Sequence, residues 1–224
     1  MRVVAVVAAR NEAGQVGATI RAIRRIEAVH EAVVADGGST DGTAQEAQAA
    51  GARVLVGPRR GGKGGSLEGA VARIEPADVY LLIDADVGDT AVEGRVVLDE
   101  VVSGRADLAI GVLPRQAGHG GFRLVKGTAR RLIQALSGFR AEEPLSGQRA
   151  LSAAAMAAVR PLARGFGAEA AMTIDAARAG FRVVEVPVAM THAVTGRDAT
   201  GFAHRVRQGW DLLGAVVPRA VRRR

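Results

Sequence analysis

The sequence predicts an α/β fold with a single, mostly parallel sheet flanked by helices. Short apolar runs fit for buried strands alternate with segments of helical period through the first half of the chain. Each of those runs gives way to a polar or glycine-rich segment, which is where an open parallel sheet binds ligands. At 224 residues the chain can bury one sizeable core, with room for at most an appended element.

The first strand is expected over Arg2 to Ala8, a Val- and Ala-rich run of the kind buried on both faces. Asn11 is placed to cap the next segment, where Val16, Ile20, Ile23 and Val29 recur near helical spacing. Glu31 to Ala35 is a second strand. Thr40 or Asp41 opens a helix through Ala50 that Gly51 ends. Arg53 to Val56 is a third strand, and Gly57 to Gly65 a basic glycine-rich loop. Ser66 to Ile74 is helical, and Val79 to Ile83 is a fourth strand ending at Asp84. This alternation implies right-handed βαβ units. Further on, a helix over Ala91 to Ser103 leads to a strand at Asp107 to Val112, and Pro114 to Gly121 is a glycine-rich stretch. Helices follow at Phe122 to Ser137, Met156 to Val159 and Glu169 to Ala179, and a late strand at Arg182 to Val186. From Thr200 the tail carries Phe202, Val206, Trp210, Leu213 and Val217 among arginines, a basic amphipathic helix. The implied division is a main domain over 1–198, with halves of about 1–112 and 113–198, and an appended helix over 199–224.

Composition excludes several classes. With no Cys there is no disulfide scaffold, thiolate zinc site or Cys nucleophile. No apolar run approaches the roughly 18 residues of a membrane span. The opening Met1 to Val7 reads as a strand rather than a signal peptide, so a cytoplasmic protein is expected. The net charge of +7 favours anionic partners such as nucleotides and phosphates. Aromatics are only 3%, too few for the stacking platforms of a single-stranded nucleic-acid binder, so no nucleic-acid partner is expected. Nearly all basic residues are Arg; Lys63 and Lys126 are the two lysines.

Four segments fall at the carboxyl ends of predicted strands: Ala9 to Glu12, Asp36 to Thr43, Gly61 to Gly65, and Asp84-Ala85-Asp86. In extended backbone, residues two apart point the same way, so Asp84 and Asp86 lie side by side and repel unless a cation or shared proton intervenes. Hard oxygen ligands with open positions suit Mg²⁺ or Mn²⁺ holding a diphosphate. Gly57 to Lys63 satisfies Gly-x-x-x-x-Gly-Lys, but Gly64 stands where a P-loop needs a hydroxyl, which excludes that motif. The looser reading is that Lys63 and bare backbone amides line an anion or nucleotide-base pocket. Gly165 to Ala170 fits a relaxed dinucleotide fingerprint without its βαβ frame, and is set aside.

Together these segments resemble family 2-type glycosyltransferases of the GT-A fold. Ala9-Arg10-Asn11-Glu12 resembles their opening P-x-x-N-E motif, Asp36 to Thr43 their D-D-G-S-T-D-G-T, Gly62-Lys63-Gly64 their G-K-G loop, and Asp84-Ala85-Asp86 their D-x-D. The likeness continues through Pro144 to Arg149, Gly165 to Glu169 and Val188 to His192. Glucosyl-3-phosphoglycerate synthases and dolichyl- or polyprenyl-phosphate sugar synthases are the nearest subfamilies. Here Ala9 replaces the usual Pro, and Gly37 replaces the second Asp of D-D-G-S, so nucleoside binding by that loop rests on Asp36.

The resemblance implies a role for each matching residue. Ala9, Arg10, Asn11 and Glu12 border the nucleoside, and Asp36 accepts from the base or ribose. Lys63 sits over base and phosphate; Asp84, beside Ala85, orients the ribose; Asp86 and His192 bind the metal. Glu142, Glu143 and Glu169 are candidate general bases for a hydroxyl acceptor. A phosphate acceptor needs no base and would be held by Arg115, Arg149 and Lys126, with Arg197 as a clamp on the diphosphate. Donors are UDP-glucose first and GDP-mannose next; acceptors are small phosphorylated molecules or polyprenyl phosphates. The basic tail suits peripheral membrane contact or packing in a homodimer. Two other classes compete. A nucleotidyltransferase should carry an early Gly-rich basic loop, whereas Ala8 to Gly14 has only Arg10 as a cation. A non-catalytic basic docking module leaves Asp36, Asp84 and Asp86 without a purpose.

Overall fold

In a computed structural model the described residues are 1–57, 61–114, 120–192 and 214–216. Four parallel strands form one half of a seven-stranded sheet: β1 (Val3–Ala9), β2 (Glu31–Asp36), β3 (Arg53–Val56) and β4 (Val79–Asp84). Their Val, Ile and Leu side chains point alternately to the two faces. Val3, Ala5 and Val7 join one apolar cluster, Val4 and Val6 the other. Both faces are therefore covered, as a parallel sheet requires. Helices α1 (Val16–Ile23), α2 (Thr43–Ala49), α3 (Gly62–Val71) and α4 (Gly94–Val102) connect these strands onward to β5 (Leu108–Val112).

The strand order is β3-β2-β1-β4-β6-β5-β7. Strand β6 (Arg149–Ser152) runs antiparallel to both β4 and β5, while β7 (Val183–Pro187) is parallel to β5. The sequence reading lacks β6, because four residues opening on an arginine carry no strand signal of their own. Helices α5 (Gly120–Ser137), α6 (Ala153–Val159) and α7 (Ala168–Arg178) complete the chain's second half. A third apolar cluster lies between α5 and α7, through Ala129, Ile133, Ala170 and Ile174. Val216 is buried in it; apart from residues 214–216, the predicted C-terminal helix and the boundary at 198 lie outside the described residues. Among the described residues no helix is long and apolar enough to cross a membrane.

Register explains the rim. Ala9 pairs with Asp36, and Ala8 with Asp84, so the loops after β1, β2 and β4 leave the sheet at one level. Because β6 is antiparallel, its beginning lies at that same end: Arg149 pairs with Leu82, which sets Gln148 next to Asp84. Because β7 is parallel to β5, with Pro187 opposite Val112, the segment after β7 also emerges there.

Two local expectations change. Asn11 does not cap α1; the N–H groups of Gly14 and Gly17 donate to the Glu46 carboxylate of α2, which lends α1 a negative charge at its N-terminus. Helix α3 begins at Gly62, inside the predicted loop.

Candidate active site

Asp84 ends β4 and Asp86 follows two residues later. His192, on the segment after β7, places Nδ1 3.0 Å from Asp86 Oδ1. One ligand atom from each of Asp84, Asp86 and His192 lies within 4.8 Å of the others, a grouping fit for a cation. Hydrogen bonding to Asp86 raises the His192 proton affinity, against the effect of burial.

Lys63, on the first turn of α3, points into this group. Its Nζ lies 2.5 Å from Asp84 Oδ1 and 2.6 Å from Glu169 Oε1 on α7. Burial alone would lower the lysine pKa, but Asp84 and Glu169 outweigh it and hold it above its usual value. Burial likewise disfavours ionised Asp84, and Lys63, His192 and Gln148 reverse that, keeping its carboxyl below the ordinary range. Gln148 grips Asp84 twice: Nε2 donates to Oδ2 (2.9 Å), and Oε1 accepts from the Asp84 N–H (3.2 Å). Gly147 lies so close that a Cβ there would sit 2.5 Å from Lys63 Nζ and against the Asp84 carboxylate. Asp84, Asp86 and Glu169 against one ammonium leave the group two charges negative before His192 is counted, a balance that suits a divalent cation.

The glycine-rich segment also packs closely against another part of the chain. Gly61 accepts from the Gly165 N–H (2.9 Å), a Cβ on Gly62 would lie 2.9 Å from Gly165 Cα, and one on Gly64 would strike the Ala163 carbonyl. The bare first turn of α3 is a seat for residues 163–168, and that seat delivers Glu169 to Lys63. Gly64→Ala should destabilise the fold by about 1–3 kcal/mol through overpacking against backbone, read as a drop in urea midpoint; an unchanged midpoint would contradict the seat.

The loops after β1 and β2 are stitched together. Ala9 is buried and Arg10 exposed, with the Arg10 stem lying over Gly37. Asn11 adopts φ 57°, a conformation Asn tolerates better than most residues. Its N–H donates to Ser39 Oγ (3.0 Å) and its Oδ1 accepts from the Thr40 N–H (2.9 Å). Asp36 is buried, and its Oδ1 accepts from the N–H and hydroxyl of Ser39.

Glu12 is half-buried, and burial together with the charges of Asp86, Asp84 and Asp41 raises its pKa to about 7. Between its unfolded value of 4.5 and about 7 the folded state binds more protons than the unfolded state, so this group lowers stability as pH rises across that window. Glu12→Gln should therefore raise the melting temperature of the metal-free protein above pH 7. The gain should fade as pH falls toward 4.5. A Glu12→Gln melting curve matching the parent's at alkaline pH would disprove the repulsion.

Other sequence expectations fare differently. Arg149 is fully buried; its guanidinium donates to Ser146 O (2.7 Å) and Thr173 Oγ1 (2.9 Å), and burial lowers its pKa to about 10. It is a cation of the interior and cannot reach an acceptor. Glu143 pairs with Lys126 of α5, while its N–H and that of Glu142 donate to the Glu185 carboxylate of β7. These bonds hold the 142–143 loop against α5 and β7, and none joins Glu143 to the aspartates. Arg115, Arg197 and the stretch around His119 lie outside the described residues. Gln148, Gly147 and the Lys63–Glu169 pair were not assigned these roles from the sequence. A Gly-Gln beside a predicted strand end has no chemical signature until β6 is inserted next to β4.

A model of the family described as glycosyl transferase family 2 matches residues 4–150. Over 182 residues the chain is 30% identical to glycosyltransferase AglJ of Haloferax volcanii, an alignment covering 78% of this chain and 58% of that protein. The chain thus spans little more than half the length of this curated relative. It is also similar to glucosyl-3-phosphoglycerate synthase of Mycobacterium tuberculosis. In the complex with Mn²⁺, UDP-glucose and phosphoglyceric acid the TM-score is 0.78 at 26% identity, covering 96% of this chain and 80% of that one. In the complex with Mg²⁺ and UDP it is 0.79 at 27% identity, covering 96% and 79%.

Proposed function

The chain belongs to glycosyl transferase family 2, and on that premise we propose that it moves a hexose from a nucleoside-diphosphate sugar, UDP-glucose before GDP-mannose, to a small phosphorylated acceptor. The observation that carries this reading is the convergence of Asp84, Asp86 and His192 beside Lys63 at the rim where β1, β2 and β4 end. The complexes of the M. tuberculosis enzyme with UDP-glucose and phosphoglyceric acid support the choice of donor and acceptor. The donor half is about 1–112 and the acceptor half about 113–198, with 199–224 appended.

Two carboxylates and an imidazole fit Mn²⁺ or Mg²⁺, the imidazole leaning away from the all-oxygen set that Mg²⁺ prefers. Asp86 and His192 would hold the ion directly, with Asp84 facing both it and the ribose. When bound, the cation offsets the charge gathering on the departing diphosphate. The chain's own groups do the rest. Asp36 Oδ1 is committed to Ser39, so Oδ2 is assigned to a base N–H or ribose hydroxyl. Ala9, Arg10, Asn11 and Glu12 form the nucleoside border, pre-shaped by the Asn11 bonds to Ser39 and Thr40. Lys63 holds Asp84 and Glu169 in place rather than lying over the base. Arg115 and Arg197, outside the described residues, are assigned to acceptor and diphosphate by the family resemblance alone.

One observation favours a second acceptor class. Of the three candidate bases, Glu169 is engaged by Lys63 and Glu143 by Lys126, while Glu142 is exposed. An acceptor that attacks through its own phosphate, such as a polyprenyl phosphate, needs none of the three. The deciding experiment is a product assay by mass spectrometry. UDP-glucose and GDP-mannose are each offered with Mn²⁺ and with phosphoglyceric acid, glycerol 3-phosphate or a polyprenyl phosphate. A glucosylated small phosphate supports the first reading and a glycosyl phospholipid the second; consumption of neither donor under any combination would end both.

A further inference from the structure

Two threonine hydroxyls lie behind the aspartate turn, in contact with neither carboxylate. Thr19, on α1, is fully buried; its Oγ1 donates to the Ala85 carbonyl (2.7 Å) and accepts from the Gly88 N–H (2.9 Å). A helix threonine ordinarily returns its hydroxyl to its own helix or presents it to water. Here both capacities are spent on the turn that carries Asp86. Thr90, in the short 3₁₀ segment Gly88–Glu93, donates to the Val87 carbonyl (2.6 Å) and accepts from the Thr191 N–H (3.2 Å). One hydroxyl thus fixes the turn to α1, and the other joins it to the segment that carries His192.

We propose that Thr19 and Thr90 are positioning residues for the cation site, setting the separation at which Asp86 and His192 meet one ion. The inference rests on the reading of Asp84, Asp86 and His192 as a cation site. Its physical basis is that Asp86 and His192 come from segments far apart in the chain, joined near the site by the Thr90 link and by their own contact. That contact must be exchanged for metal bonds, and then the backbone links carry the geometry. Removing the Thr19 hydroxyl strands the buried Ala85 carbonyl and frees the part-buried Gly88 N–H, and the turn must shift to find them partners. Loss of groups that orient metal ligands typically costs 10–100-fold in affinity.

The test is Mn²⁺ titration, followed by the loss of the free-ion electron paramagnetic resonance signal, on the full chain and on Thr19→Val, Thr19→Ser, Thr90→Val and Thr90→Ser. Melting temperature without metal serves as the folding control. The valine variants keep side-chain shape and should bind Mn²⁺ about 10–100-fold more weakly; the serine variants, which keep the hydroxyl, should bind close to the parent. If Thr19→Val fails to fold, the Thr90 pair decides, since Thr90 is only half-buried. Valine variants with parental affinity, or serine variants as weak as the valines, overturn the positioning role alone. A parent chain that binds no Mn²⁺ overturns the cation site and this inference together.

Discussion

Asp86→Ala is expected to cut sugar transfer by ~10³-fold, the order of the several kcal/mol a bound cation contributes to stabilising departing charge. It should also abolish the rise in melting temperature that Mn²⁺ and UDP together produce. The metal-free protein should lose little stability. Asp86 is half-buried, its partner His192 can turn to water, and removing the carboxylate relieves repulsion on Glu12. The Glu12 pKa should then fall from about 7 toward 4.5, observable as a displaced pH limb of stability. A variant that keeps turnover and the metal-dependent melting shift would remove Asp86 from the site's chemistry.

Lys63→Met should be the most destabilising single change at the site. It leaves Asp84 and the nearly buried Glu169 facing one another without their shared cation. Breaking a buried pair by removing one partner costs about 3–5 kcal/mol, and the 19% exposure of Lys63 and Asp84 argues for the lower end. Urea unfolding measures this directly. Lys63→Met with Glu169→Gln should recover part of the stability, because one stranded charge is gone, while transfer stays low because Asp84 has lost its ammonium partner and is held by Gln148 alone. The acid limb adds a signature. Asp84 has a folded pKa held below its ordinary 3.8, so its contribution is present at neutral pH and lost as acid titrates it through the depressed value. Lys63→Met should flatten that limb. Unchanged urea and acid profiles would show that the bridge contributes nothing.

Legibility along the chain followed the range of the forces involved. The rim loops were readable because an apolar run followed by a polar break marks a strand end locally, and β1, β2 and β4 end within a residue of the expected positions. The glycines at 61 to 65 carry a loop signal, whereas α3 begins at Gly62. Glycine signals conformational freedom and close approach alike, and only the backbone at 163–165 distinguishes the two. Asn11 was read as a cap because Asn caps helices; its actual partners, Ser39 and Thr40, belong to another loop. Glu169 was read as a base because an acid opening a helix leaves that role open, and the nearby lysine lies on α3, remote in sequence.

The sequence alone determined where the apolar strands run, where they stop and which polar residues stand at those stops, since each follows from neighbours within a few positions. It also carried the ordered motifs by which the family is recognised. The tertiary structure alone decided that β6 enters antiparallel beside β4 and brings Gln148 to Asp84, that the segment after β7 returns His192 to Asp86, and that Lys63 and Glu169 share a charge. Those meetings depend on which strand lies next to which, and strand pairing is chosen by burial of the whole core rather than by any segment's own residues.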